Sequence, residues 1–214
     1  METVAFPAGW SDQSIRVKIP ENAFKDCVGL QEITLPDAVI HIGNNAFQGC
    51  TGLKTANIGV NCRSIGVSAF YGDANLTTVD RLNDSDPSHT FDTVGNYAFR
   101  GTGIRSAKLA LRSSSIYTFW GDGCFQDCRQ LRDVDFLSAN YMSRNMFKGC
   151  TKLSSVDFNV HLMAYTYPGI FDGCTSLENI TLPAEILFVP EKMFNGCTAL
   201  TSVNFNGTAA IDEI

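Results

Sequence analysis

A phrase of about 23 residues recurs from one end of the chain to the other, and it restricts the fold more than any other feature. It reads Ala-Phe-x-x-Cys-x-x-Leu-x-x-Ile-x-Leu, and its anchors are Phe24, Phe47, Phe70, Phe99, Phe125, Phe147, Phe171 and Phe194. The successive spacings are 23, 23, 29, 26, 22, 24 and 23 residues. A period in this range indicates a solenoid, in which each unit can bury its apolar side only against the next unit.

Each unit also carries a strand signature after its cysteine position. In the second unit, Leu53, Ala56 and Ile58 form Leu-x-x-Ala-x-Ile, and the final step of two residues is strand periodicity. The same pattern falls at residues 30–35, 131–136, 153–158, 177–182 and 200–205. Identical positions in successive units should stack, so the pattern predicts a parallel sheet along one side of the array.

The rest of each unit predicts shorter structure. A second apolar stretch, as at residues 39–43 and 62–66, favours a second and poorer strand, and Asn44-Asn45 before Phe47 predicts a turn that opens one helical or 3-10 turn. The predicted fold class is an α/β repeat solenoid, one domain over residues 1–214 with about eight repeats. We expect a right-handed, curved array with the parallel sheet on the concave side and the eight phenylalanines buried in one stack.

We call the eight repeated phenylalanines, from Phe24 to Phe194, the ladder phenylalanines. Six of the eight cysteines stand three residues after one of them. Stacked positions lie ~4.8 Å apart with parallel Cβ directions, whereas a disulfide needs Cβ atoms about 3.8 Å apart and converging. The pattern therefore predicts reduced, buried and inaccessible thiols, and a line of thiols also lacks the tetrahedral convergence of a zinc site. The six are Cys27, Cys50, Cys128, Cys150, Cys174 and Cys197.

Charge and motif content exclude several functions. The net charge is −6 without a stripe of Lys or Arg along the repeats, which argues against nucleic acid or an anionic membrane as the partner. No apolar run approaches the ~20 residues of a membrane span, and residues 1–10 lack the features of a signal peptide. His41, His89 and His161 share no ligand spacing, and no phosphate loop or nucleophile elbow is present. We therefore expect no enzymatic activity, no cofactor and no metal site.

Polar residues occupy the outward strand positions. Neighbouring strands lie ~4.8 Å apart, so these side chains should form a charged strip that could hold a ligand or a cation. An ordinary solvated face is the alternative, although the inner face of such arrays is commonly the binding surface. The strip consists of Asp80, Lys108, Asp135 and Asp157, with Asp133 in the adjacent outward row.

Two insertions interrupt the period and are expected to form loops, which often carry binding residues. The first, at residues 82–93, contains Asp84, Asp86, His89 and Asp92 and reads either as a calcium loop or as a flexible solvated loop.

The second insertion, at residues 110–123, contains three aromatic residues. Trp120 aligns with Ile42 and should be core, whereas Phe119 aligns with His41 and should be exposed. Tyr117 and Phe119 join the candidate contact residues, because an exposed aromatic patch marks an interface.

The segment Ile-Gly-Asn-Asn-Ala-Phe-Gln-Gly-Cys-Thr-Gly-Leu at residues 42–53 resembles the BspA-type leucine-rich repeats of surface proteins from host-associated bacteria and some protozoa. The resemblance extends from about Val4 to Phe205. It implies a leucine-rich-repeat fold, export, and adhesion or partner binding without a shared catalytic site. Three positions depart from the pattern: Asp73 and Thr102 replace the cysteine, and Ile104 takes a leucine position.

The sequence as a whole predicts a non-enzymatic scaffold, secreted or displayed at a cell surface, that recognises a protein or glycan on a host or neighbouring cell. The alternatives are a structural spacer within a larger surface protein and, more remotely, a hydrolase. Neither end of the chain carries a distinct polar cap, which favours either a segment of a longer array or end-to-end association between copies.

Overall fold

The chain forms a solenoid of short parallel strands linked by turns. The computed structural model describes residues 2–12, 14–84, 86, 90–111, 119–137, 142–158, 166–186 and 188–206. The helices of these residues are two short 3-10 helices, η1 (Ala8–Ser11) and η2 (Asp80–Leu82). The architecture is therefore a β-solenoid, and the predicted α/β class is not confirmed because the described residues contain no α-helix.

The backbone of the phenylalanine segments explains why no helix forms there. Asn45, Phe47 and Gly49 donate their backbone N–H groups to the next repeat, as in Phe47 N to Ala69 O at 2.8 Å. The intervening Gln48 donates within its own segment, to Asn45 O at 3.1 Å. Alternate N–H groups thus donate to carbonyl oxygens of the neighbouring repeat, so the i to i−4 hydrogen bonds of an α-helix cannot form.

The first face of the solenoid carries the predicted parallel strands. They pair in three sheets, ordered β1-β3-β5-β7, β9-β11-β12 and β13-β14, and η2 lies between β7 and β9 in the chain. The strands are β1 (Glu2–Thr3), β3 (Leu30–Thr34), β5 (Thr55–Asn57), β7 (Thr78–Val79), β9 (Ser106–Leu109), β11 (Asp133–Phe136), β12 (Ser155–Phe158), β13 (Asn179–Leu182) and β14 (Ser202–Phe205).

The second face carries one parallel sheet in the order β2-β4-β6-β8-β10. Its strands are β2 (Val17–Ile19), β4 (Val39–Ile42), β6 (Ser64–Ile65), β8 (Thr93–Val94) and β10 (Phe119–Trp120). In the later repeats, the described part of this face contains only an isolated parallel bridge between Met142 and Thr166. Among the described residues, the second strand predicted for each unit therefore occurs in the earlier repeats.

The eight ladder phenylalanines form one continuous stack through the core. Their successive ring centroids are 5.1–5.9 Å apart and their planes differ by 4–14°. The six inner rings are fully buried, whereas Phe24 and Phe194 are half-buried because each has a ladder ring on one side only. The predicted stack is confirmed, with burial complete for its inner members.

All eight cysteines are free thiols, and the inner ladder thiols are buried. The prediction of inaccessibility is wrong for Cys27, which is exposed, and holds only partly for Cys197. Both belong to the outermost ladder units, where one side lacks a neighbouring ladder unit in the described chain. Burial raises the pKa of Cys50 to about 12 and that of Cys128 to about 11, so these thiols keep their protons at neutral pH.

The ladder cysteines also form hydrogen bonds between successive repeats. Their thiols lie 3.0–3.3 Å from the carbonyl oxygen of the phenylalanine in the preceding repeat, and each donates a weak hydrogen bond to it. The donors are Cys50, Cys128, Cys150, Cys174 and Cys197. A thiol therefore links each of these repeats to the one before it.

Candidate functional site

The predicted charged strip is largely present on the first face. Lys108, Asp135 and Asp157 are direct partners in the register of β9, β11 and β12. Asp133 lies in the adjacent outward row, between Ser106 and Ser155. Strand alternation causes this arrangement, because the intervening Val134 and Phe136 are fully buried. We use the name first-face row for Lys108, Asp135 and Asp157 together with Asp133 from the adjacent row.

The side chains of the first-face row reach the surface of the molecule. Asp133 and Asp157 are exposed, and Lys108 and Asp135 are half-buried. Within the described residues, none of the four makes a side-chain hydrogen bond or an ion pair. Exposed Arg105 precedes β9 in sequence, and exposed Arg132 precedes β11. The row is therefore a surface of mixed charge with an acidic centre.

Asp80 does not continue this row. Strand β7 ends at Val79, and Asp80 begins η2. Its Oδ1 accepts hydrogen bonds from the backbone N–H of Ile58, at 2.8 Å, and of Arg81, at 2.7 Å. The carboxylate thus supports the chain where the strand breaks.

The sequence contains a signal for this break that the strip prediction missed. Arg81 stands at the repeat position where the preceding unit has Ile58, and only 4% of it is exposed. Its Nη1 donates to Gly59 O at 3.0 Å, and its guanidinium lies 4.9 Å from the centre of the Phe91 ring. These contacts compensate part of the cost of burying a charged group, although Arg81 Nε and Nη2 have no hydrogen-bond partner among the described residues.

The second insertion behaves as the alignment predicts. Phe119 is 42% exposed and Trp120 is 2% exposed, at the outward and inward positions of β10. Phe188, which stands six residues before Phe194 as Phe119 does before Phe125, is also exposed. Tyr117 lies outside the described residues.

The first insertion is only partly described. Asp84, Asp86 and Asp92 fall within the described residues, whereas His89 falls outside them. Across the described part of the chain, no group of three or more His, Cys, Asp or Glu side chains is arranged to hold a metal ion.

A basic groove on the second face was not predicted from the sequence. It has a volume of about 420 Å³. Three successive repeats contribute to it, so residues far apart in sequence converge and no basic run is visible along the chain. The groove is lined by Arg16, Lys18, Ile40, His41, Asn61, Arg63 and Ser64. One signal was available: Lys18, His41 and Ser64 stand at the same outward offset in their repeats.

Parallel register brings the groove's central side chains together. Lys18 pairs with His41, and His41 pairs with Ser64, across β2, β4 and β6. The Nδ1 atom of His41 lies 2.6 Å from the Ser64 hydroxyl oxygen. Burial and the Lys18 ammonium lower the pKa of His41, and Glu21 opposes them in part. The imidazole is therefore largely neutral at pH 7.

The rows of parallel strands and the stacked apolar positions define a leucine-rich-repeat solenoid. The sequence matches the BspA type leucine-rich repeat region in six copies, over residues 17–120 and 92–213. The chain belongs to this BspA-type family and is a repeat scaffold of that class.

Solved structures agree with this fold. A leucine-rich repeat protein of T. pallidum is 26% identical to the chain, with a TM-score of 0.64 over 75% of this chain and 71% of that one. A leucine-rich repeat protein from Bacteroides ovatus is 22% identical, with a TM-score of 0.57 over 88% of this chain and 64% of that one. No match is found among the curated proteins compared. In the described residues, no helix has the length and apolarity needed to cross a bilayer.

Proposed function

We propose that this chain is a non-enzymatic binding scaffold, exported or displayed at the cell surface, that recognises a protein or glycan partner. Membership of the BspA-type repeat family supports this proposal. A right-handed, curved array with the first face on its concave side would present the first-face row to the partner. Tyr117 and Phe119 form a second proposed contact region.

One observation carries the proposal: three charged side chains lie in register on three adjacent strands, above a fully packed core. Rigid strands fix the backbone beneath these side chains, which have no partner among the described residues, so binding costs little additional backbone ordering. Opposite charges in one row also provide electrostatic complementarity, which favours specificity and fast association.

The test combines a binding screen with charge-neutralising variants. Wild-type protein is screened against host extracellular proteins and glycans, and each partner found is titrated with the variant Asp133→Asn/Asp135→Asn/Asp157→Asn. We expect binding to weaken roughly tenfold, about 1.4 kcal/mol, and to weaken further with added salt because exposed charges are screened within ~8–10 Å. The fold, measured by circular dichroism and urea unfolding, should be unchanged or slightly more stable as like-charge repulsion is relieved.

A matched control removes the same charge elsewhere. Asp12, Asp26 and Glu191 are exposed and lie outside the first-face row, so Asp12→Asn/Asp26→Asn/Glu191→Gln should retain binding. A partner that the row variant binds as tightly as wild type does would contradict the role of the row. Loss of that partner on Phe119→Ser would move the contact to the second insertion, and a screen without partners would favour the spacer.

A further inference from the structure

We propose that the basic groove on the second face binds an anionic sugar, a saccharide that carries carboxylate or sulfate groups. This site lies on a different sheet from the first-face row, and the inference does not depend on that row binding anything. The proposal is therefore tested with ligands chosen for the groove, which combine negative charge with several hydroxyl groups.

The first support is the local concentration of positive charge. The chain has a net charge of −6, yet Arg16, Lys18 and Arg63 surround one groove together with His41. Lys18 is exposed, and its ammonium makes no hydrogen bond or ion pair within the described residues. A concave surface lined by one sign of charge focuses its field and attracts counter-charged ligands.

The second support is the hydrogen-bonding character of the lining. Among the described residues, the Arg63 guanidinium makes one long hydrogen bond, from Nη1 to Thr90 O at 3.5 Å, which leaves most of its five N–H donors for a ligand. Asn61 and Ser64 add groups that can both donate to and accept from hydroxyls. Arginine also matches the planar geometry of a carboxylate and the oxygen spacing of an oxyanion.

The third support is the small apolar contribution to the groove. Ile40 is the one aliphatic side chain among the lining residues, so the groove offers no pocket for the apolar anchor of a peptide. Its volume of about 420 Å³ suits a small polar ligand or a short stretch of a chain. Glu21 lies near His41, and its Oε1 accepts a hydrogen bond from the neutral Asn44 Nδ2 at 3.0 Å.

Calorimetric titration with defined disaccharides tests the proposal. The ligands are a sulfated uronate-containing disaccharide, the same disaccharide without sulfate, and neutral maltose. We expect at least one anionic sugar to bind roughly tenfold or more tightly than maltose. Retained binding after removal of sulfate identifies carboxylate as the recognised group, and loss of binding identifies sulfate.

Variants locate the binding. Lys18→Gln and Arg63→Gln should each lower the affinity for the anionic sugar about fivefold to tenfold, whereas Lys54→Gln, an exposed lysine outside the groove lining, should leave it unchanged. The triple asparagine variant of the first-face row should also bind the sugar normally, which separates this result from the proposed function. Absence of binding by both anionic sugars, or equal binding by the groove variants, would overturn the proposal. So would a short polyglutamate peptide that binds the groove more tightly than either sugar.

Acidification provides a second readout. The charged and titratable groups around His41 are Lys18, Glu21, Arg16 and Arg63, and the pKa of His41 lies below its ordinary value. Affinity for the sulfated disaccharide should therefore rise as the pH is lowered from neutral, because the sulfate stays ionised while His41 gains charge. His41→Gln should remove this rise, and its persistence in that variant would assign the pH effect to another group.

Discussion

The carboxyl group of Asp73 occupies the repeat position at which most other ladder units carry a cysteine thiol. Asp73 is fully buried, and neither of its carboxyl oxygens has a hydrogen-bond partner among the described residues. Burial raises the pKa of Asp73 to about 8, because the apolar surroundings disfavour the charged carboxylate. The side chain is therefore mostly a neutral acid at pH 7, and a protonated carboxyl can donate a hydrogen bond as the ladder thiols do.

Replacing Asp73 with cysteine tests this interpretation. The folded state holds the carboxyl proton more tightly than the unfolded chain, so the stabilising contribution is fully present below about pH 4 and is lost as the pH rises through 8. Asp73→Cys should therefore be more stable than wild type near about pH 8.5, by on the order of a few kcal/mol, with a smaller difference near about pH 5. Urea unfolding at both pH values measures it. Parallel pH profiles for Asp73→Cys and wild type would contradict the buried-acid interpretation.

At the scale of elements, a column of glycines accompanies the second sheet. Gly43, Gly66, Gly95 and Gly121 directly follow β4, β6, β8 and β10. A Cβ atom added at any of them would lie 2.3–2.7 Å from a backbone atom of the preceding repeat. The same offset holds Ser143, Tyr167 and Pro190 in the later repeats, where the described residues contain no second-face sheet. Close backbone approach at glycine is thus associated with formation of the second sheet.

A single methyl group should disrupt this approach. In Gly66→Ala, the added Cβ would lie 2.6 Å from Asn44 N, so the two repeats must separate locally. We expect a loss of about 1–3 kcal/mol in the free energy of unfolding. Gly9→Ala is the control, because nothing lies within 4 Å of a Cβ added there. Equal stability of the two variants in urea unfolding would show that the second sheet tolerates wider spacing.

Elements dictated by local periodicity could be predicted, whereas elements that depend on contacts between repeats could not. The phenylalanine spacing and the strand signature place the first-face strands and the core ring stack. The break at η2 was not predicted, because a repeat pattern identifies Arg81 as exceptional without stating how the backbone accommodates it. The basic groove was missed because Lys18, His41 and Arg63 come from three repeats and lie beside the poorer second strand.

At the scale of the whole molecule, the ring stack makes stability depend on neighbouring repeats. Inner rings such as Phe99 contact a ladder ring on both sides, at 5.4 and 5.5 Å, whereas Phe24 contacts one, at 5.1 Å. In a linear array, total stability is approximately the sum of repeat terms and nearest-neighbour interface terms. A change in an inner ring therefore weakens two interfaces and a change in the first ladder ring weakens one.

The same substitution at two ladder positions measures this difference. Phe99→Leu should lower the free energy of unfolding by about 1–3 kcal/mol, because it alters a fully buried ring in two interfaces. Phe24→Leu should cost less than about 1 kcal/mol, since that ring is half-buried. Urea unfolding followed by circular dichroism compares them, and amide hydrogen exchange should show fraying confined to the first repeat in Phe24→Leu. An equal loss at both positions would indicate that the ends are as tightly coupled as the centre.

The distance between stacked rings does not follow the length of chain that joins them. Phe70 and Phe99, with 29 residues from one to the next, are 5.4 Å apart, whereas Phe125 and Phe147, with 22, are 5.9 Å apart. Extra residues are thus accommodated without displacing the rings on either side. The exposed residues of the inserted segments can therefore change with little effect on the ring stack, provided that buried members such as Leu82, Phe91 and Trp120 are kept. The surface of the solenoid can thus diversify in evolution around an unchanged stack.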